Sequence, residues 1–223
     1  IRRNQVVSRV YFFIQVERKQ TGTDPGKAPV TGNTNDGDGD KGSPGDADFE
    51  VARRMLEQGY HAEAARYFRL FRQQYPQSPL VHSAQVYEGQ ANFEEKKYSA
   101  ALAVLQSLSP AAPPEVKQLA ALWEANSLDA LKRDDQAVSA YLRALTPGGD
   151  PEISIRARIG LALHYSSRGK YTLAGMQFNL LFEFEGKQKK EGSGYLLALY
   201  YAARMYDLTP VIRDIDKAYT YYR

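Results

Sequence analysis

The 223-residue chain has no cysteine, a single tryptophan and only three histidines. Without cysteine it can hold no disulfide, no thiolate metal site and no lipid-modified cysteine within this stretch. No run approaches the roughly 20 consecutive apolar residues that a membrane-spanning helix needs. An excess of one charge is also missing: 29 Lys and Arg against 26 Asp and Glu leave +3, too little by itself to point to nucleic acid. His61, His82 and His164 show no Asp/Glu-x-x-His spacing, so no metal site is expected, and His61 reads as a packing residue. The adjacent acids Glu94–Glu95 and Asp134–Asp135 point to different faces of a helix and form no acid/base dyad. A Gly-rich phosphate loop leading into a helix, a Gly-x-Ser-x-Gly turn and any nucleophile–base constellation are absent as well. The expectation is a non-enzymatic chain without a metal or other cofactor.

What is present divides by composition. Residues 20–46, "QTGTDPGKAPVTGNTNDGDGDKGSPGD", carry Val30 as their only large apolar residue, and such a stretch cannot bury enough surface to offset its ordering entropy. It is expected to be a disordered Gly/Asp/Pro linker. Asp36, Asp38 and Asp40 alternate like the start of a calcium loop, but Lys41 stands where that loop needs Gly and Ala47 where it needs Glu. Ahead of it, residues 1–19 hold the run Tyr11–Phe12–Phe13–Ile14 flanked by Arg9, Arg18 and Lys19. Its aromatic and β-branched content predicts a short strand-like segment. The residues leave open whether it ends another domain, pairs as an edge strand with a partner, or packs onto the helical body.

From residue 47 onward the apolar spacing is helical and one block recurs. "GYHAEAARYFRLF", "KKYSAALAVLQSL", "KRDDQAVSAYLRA" and "GKYTLAGMQFNLL" align on Ala64, Ala101, Ala137 and Ala174, at successive intervals of 37, 36 and 37 residues. A period of this length marks stacked helical hairpins. The small residue lets the second helix approach the first. One turn later, Phe68, Leu105, Tyr141 and Phe178 fill the gap between units. Gly59 and Gly169 suit the tight turn inside the hairpin, a place held by Lys132 in the third block. Prolines such as Pro76, Pro113, Pro114 and Pro151 separate the units. First helices are predicted over 47–57, 82–95, 115–131 and 152–167, giving an all-α solenoid over 47–223.

This spacing, Gly-x-Tyr-x-x-Ala with an aromatic four residues on and a terminal proline, resembles the tetratricopeptide repeat (TPR) over residues 46–184. "QQYPQSP" at 73–79 and the block after it look like the TPR subclass of bacterial envelope proteins, the outer-membrane assembly lipoprotein and Tol–Pal-associated coordinator type. The resemblance implies a right-handed α-solenoid and a scaffold that holds a protein or peptide partner in a groove lined by the first helices. Carried over position by position, the groove would include Phe49, Arg53, Gln90, Phe93, Leu122, Asn126, Asp129, Ile159, Leu163, Tyr200 and Arg204. Asn126 matches the subfamily that clamps a terminal carboxylate, but Leu122 stands where that clamp has Lys.

"YLLALYYAARMYDL" at 195–208 reads as a fifth first helix, followed by Ala218 and Tyr222. Ending inside this pattern, the chain is expected to continue into further repeats, and a signal or anchor upstream of Ile1 is its one expected link to a membrane. The envelope-type repeat and the missing cysteines suit a bacterial periplasmic protein, with the cytoplasm as the alternative. A second reading makes the chain a structural subunit that contacts partners through the solenoid ends and the N-terminal strand. An RNA-binding array ranks below both, since the tyrosines sit at helical spacing beside apolar residues and the charge is near balance.

Overall fold

The computed structural model describes residues 45–185. The expected strand over 1–19, the linker up to residue 44, and the fifth unit with Tyr200 and Arg204 lie outside the described residues. Among those described, eight helices follow one another: α1 (Asp46–Gln58), α2 (His61–Gln74), α3 (Val81–Glu94), α4 (Tyr98–Gln106), α5 (Pro114–Ala130), α6 (Asp134–Ala144), α7 (Pro151–Ser167) and α8 (Tyr171–Glu185). They pair as four hairpins, and each observed first helix begins one residue before its expected start. The four marker alanines, Ala64, Ala101, Ala137 and Ala174, are all fully buried. So are the fillers Phe68, Leu105, Tyr141 and Phe178, each 3% exposed or less.

The turn inside every hairpin has one geometry. Five residues before the marker alanine stand Gly59, Lys96, Lys132 and Gly169, all left-handed, with φ of 88°, 60°, 62° and 74°. The next residue donates its backbone N–H back to the preceding helix: Tyr60 to Met55, Lys97 to Asn92, Arg133 to Leu128 and Lys170 to Tyr165, each at 2.9 Å. This bond satisfies a carbonyl that the last helical turn leaves open. Glycine enters the left-handed region freely, whereas for lysine it costs about 1–2 kcal/mol. The geometry is therefore imposed by the repeat, and two of the four sequences meet it without the favoured residue.

Pro114 and Pro151 open α5 and α7 at the first helical position, where no N–H is needed. Asp150 also caps α7, its carboxylate accepting from the N–H groups of Glu152 at 2.8 Å and Ile153 at 3.3 Å. Gly89 lets α3 and α4 close up, since a Cβ there would stand 2.6 Å from the Leu105 side chain.

Each hairpin packs on the next through its second helix and the following first helix. Successive first helices α1, α3, α5 and α7 also touch one another, while among the described residues no two second helices do. Rows spaced this unequally place the first helices on the inner side of the stack and the second helices on the outer side. The inner helices are consequently enclosed on several sides, and α5 is buried without interruption from Ala120 through Leu128. That run includes polar groups with partners of their own. Ser127 donates to the Trp123 carbonyl at 2.8 Å, Asn126 accepts from the Tyr141 hydroxyl at 2.8 Å, and Glu124 accepts from Gln106 at 3.1 Å and Arg143 at 2.8 Å. Burial of these groups is tolerable because each is hydrogen-bonded.

Candidate functional site

The faces of the first helices are fixed by what they hold. On α3, Gln85 donates to the Val104 carbonyl of α4, and Glu88 accepts from Arg69 and Arg72 of α2. These side chains mark the outer face, toward the second helices. At about 100° per residue, Gln90 and Glu94 fall on the opposite, inner face. The 36–37-residue period places Arg53 of α1 and Arg156 and Leu163 of α7 there as well. All five are partly exposed.

Their chemistry is mixed along the row. On α1, Arg53 lies between Glu50 and Glu57, with N···O distances of 2.7 and 2.8 Å. The hydrogen bond from Arg53 holds the Glu50 carboxyl below its usual range. Further along, Phe93 packs on Trp123 with ring centres 5.4 Å apart. The Arg156 guanidinium lies over the Trp123 ring at 5.6 Å, a cation–π arrangement that joins α5 to α7. The Trp123 Nε1–H is buried and has no acceptor. Beside these groups, burial pushes the Glu94 carboxyl up to about 7, with Arg156 pulling in the opposite direction. The centre of the inner row thus carries a carboxyl that changes charge near neutrality, a guanidinium and an aromatic pair.

Several expected groove residues are elsewhere. Phe49 is 6% exposed and lies edge-on to Phe68 and Phe71, with ring centres at 5.7 and 5.5 Å. Leu122 and Ile159, its equivalents in α5 and α7, are also buried. This place in the first helix therefore belongs to the core. Its side chains form an i, i+3, i+7 stripe such as Phe49–Ala52–Leu56, the face the second helix covers. Asn126 is buried on Tyr141, so it is no clamp residue open to a ligand. Phe93 is buried at the inner edge beside Trp123. Only Arg53, Gln90, Asp129 and Leu163 keep partial exposure among the described members of the expected groove.

Asp129 is already engaged. Its carboxylate meets His164 Nδ1 at 3.0 Å and Arg168 Nη2 at 2.6 Å, and the same guanidinium nitrogen meets Asp134 at 2.7 Å. This latch ties the α5–α6 turn to the end of α7. Asp129, Asp134 and His164 offer three potential metal ligand atoms within 4.8 Å of one another. The guanidinium that bridges the two carboxylates supplies the positive charge an ion would bring, and an ion would have to displace it. His61 is half-buried at the α1–α2 turn with Nδ1 unpartnered, and burial lowers its pKa from the ordinary 6.5 despite the charge of Glu95.

Solved structures of other proteins share this arrangement. A Podosopora anserina putative kinesin light chain with nearly identical TPR-like repeats superposes with a TM-score of 0.62 at 15% identity, covering 78% of this chain and 91% of that one. A singly substituted variant of the same protein gives 0.62 at 14% identity, over 78% and 90%. The MamA RS-1 ArsTM double mutant gives 0.55 at 15% identity, over 81% and 92%. The chain folds as a TPR-like helical repeat array. No protein-family model and no curated protein matches it.

Sequence reasoning missed Trp123 and Glu94 as inner-face groups. The signal for Trp123 was its place one residue after Leu122. For Glu94 there was no such signal, because the Arg156 charge that acts on it belongs to a helix two hairpins further on.

Proposed function

We propose that the chain is a non-enzymatic protein–protein interaction scaffold that holds a peptide segment along its inner row. The observation that carries this reading is the continuous row of four first helices. Its partly exposed side chains, Arg53 on α1, Gln90 and Glu94 on α3, and Arg156 and Leu163 on α7, bring base, amide, acid and apolar group together. A rigid repeat surface of that kind suits an extended or helical segment, and the partly exposed Leu163 supplies an apolar contact. The finer setting, a bacterial cell-envelope assembly with the chain in the periplasm, is supported by the "QQYPQSP" block and the missing cysteines.

The test is selection from a random peptide library followed by binding to variants. Arg53→Ala, Gln90→Ala and Arg156→Ala together should remove binding of the selected peptides, while Gln136→Ala and Ser139→Ala on the exposed face of α6 should leave it intact. Release of the native chain with soluble periplasmic proteins on osmotic shock tests the compartment, and retention in spheroplasts would reject it.

One observation favours the structural-subunit reading. On α8, Leu173, Met176 and Leu180 are 40%, 53% and 42% exposed at i, i+3 and i+7. The equivalent face of α6 carries Gln136, Ser139 and Arg143. An apolar stripe confined to the last described hairpin suits a fixed contact. Should peptide binding survive the inner-row variant and fall with Leu173→Ser and Met176→Ser, the subunit reading takes over.

A further inference from the structure

The outer side carries an unequal pair of buried glutamates, 36 residues apart in equivalent positions of α3 and α5. Glu124 is met by one neutral donor, Gln106 at 3.1 Å, and one cation, Arg143 at 2.8 Å. Charge is closed there. Glu88 is 1% exposed and is met by two cations, Arg69 at 2.9 Å and Arg72 at 2.6 Å. One guanidinium is enough to neutralise a buried carboxylate, as the next repeat demonstrates, so the second leaves one unit of positive charge unanswered.

That surplus lies at a cavity of about 420 Å³ between α2 and α3, lined by Arg69, Arg72, Gln73, His82, Gln85 and Glu88 among others. Both carboxylate oxygens of Glu88 are occupied, which fixes the two arginines in place. Each guanidinium has given one N–H and keeps its other donors. Gln73 and His82 bring further polar groups to the same space, and Glu88 is the only acid in the described lining. A forked pair of guanidiniums held by a buried counter-ion is the arrangement that recognises a planar or tetrahedral oxyanion.

We infer that the cavity between α2 and α3 binds an oxyanion, a carboxylate or a phosphate, held by Arg69 and Arg72 with Glu88 as the residue that positions them. The site is on the opposite side of the stack from the inner row and does not depend on how that row is used.

The full chain is titrated with inorganic phosphate and, separately, with an acetylated Glu-Glu dipeptide, following the Arg Nε–H and His82 ring signals by NMR. Saturable shifts at Arg69, Arg72 and His82 are expected with at least one probe, and which probe binds more tightly identifies the source of the oxyanion. Arg69→Gln leaves Glu88 with the same donor types as Glu124, one amide and one guanidinium, and should weaken binding by about tenfold or more while the circular dichroism spectrum is unchanged. Gln73→Glu, which adds an acid to the lining without touching the Glu88 pair, should weaken it as well. Absence of saturable shifts with both probes, or equal affinity in wild type and both variants, overturns the inference.

Discussion

Replacing Glu94 by Gln tests the electrostatics of the inner row most directly. Burial raises the carboxyl from an ordinary 4.5 to about 7 in the folded chain. At about 1.4 kcal/mol for each pH unit, ionising it in place costs about 3 kcal/mol. The sign follows from proton counting. Between those two values the folded chain binds more protons than the unfolded one, so stability falls as pH rises through that window. Below it the group is protonated in both states and contributes no difference. The amide has the same shape and no charge to desolvate. The stability of Glu94→Gln relative to wild type should therefore be near zero at pH 4 and rise to about +3 kcal/mol at pH 8. Urea unfolding followed by circular dichroism at four or five pH values gives this difference, and contributions from other titrating groups cancel in it. A ¹³C titration of the Glu94 carboxyl gives its pKa independently. A pH-independent difference, or a variant less stable than wild type at pH 8, would refute the reasoning.

Three further outcomes can be checked by the same unfolding measurements. Lys132→Gly should stabilise by about 0.5–1 kcal/mol, the relief of a left-handed lysine less the added freedom of glycine when unfolded; destabilisation would contradict the turn geometry. Gln118→Leu should cost about 2–4 kcal/mol, because the buried amide bonds Ala144, Asp150 and Ser154 at once, donating at 3.0, 3.2 and 3.1 Å and accepting from the Asp150 N–H at 2.7 Å. Gly89→Ala, worth about 1 kcal/mol in favour of a free helix, should instead destabilise by about 1–3 kcal/mol against Leu105; adding Leu105→Ala should recover part of that loss relative to the sum of the single changes.

The hairpins were legible because their markers are local. An alanine facing its partner helix and an aromatic one turn later are fixed by spacing within one chain segment, and so are the turns: Lys132 was visible as a departure from glycine, though not that its φ would match. The inner row was legible only in part. Arg53, Gln90 and Leu163 keep partial exposure, whereas Phe49, Leu122, Asn126 and Ile159 are buried. One turn of helix separates facing the second helix from facing solvent, and an apolar residue suits either. The Glu88 and Glu124 sites were out of reach for another reason: their partners Arg69, Arg72, Gln106 and Arg143 are 16 to 19 residues away, and all but Arg143 lie on the preceding hairpin, which meets the site only when hairpins stack. Spacing within one repeat says nothing about that meeting.

First helices in mutual contact beside second helices that do not meet give the described stack unequal stiffness across its width. Pulling its ends apart along the inner row has to break packed contacts such as Phe93 on Trp123. Flexing it about that row only widens or narrows the gaps between second helices, which no helix–helix contact among the described residues spans. The array should behave as a leaf spring with its stiff layer on the inside, and a force probe attached at residues 46 and 185 would find it compliant in bending long before any hairpin unfolds.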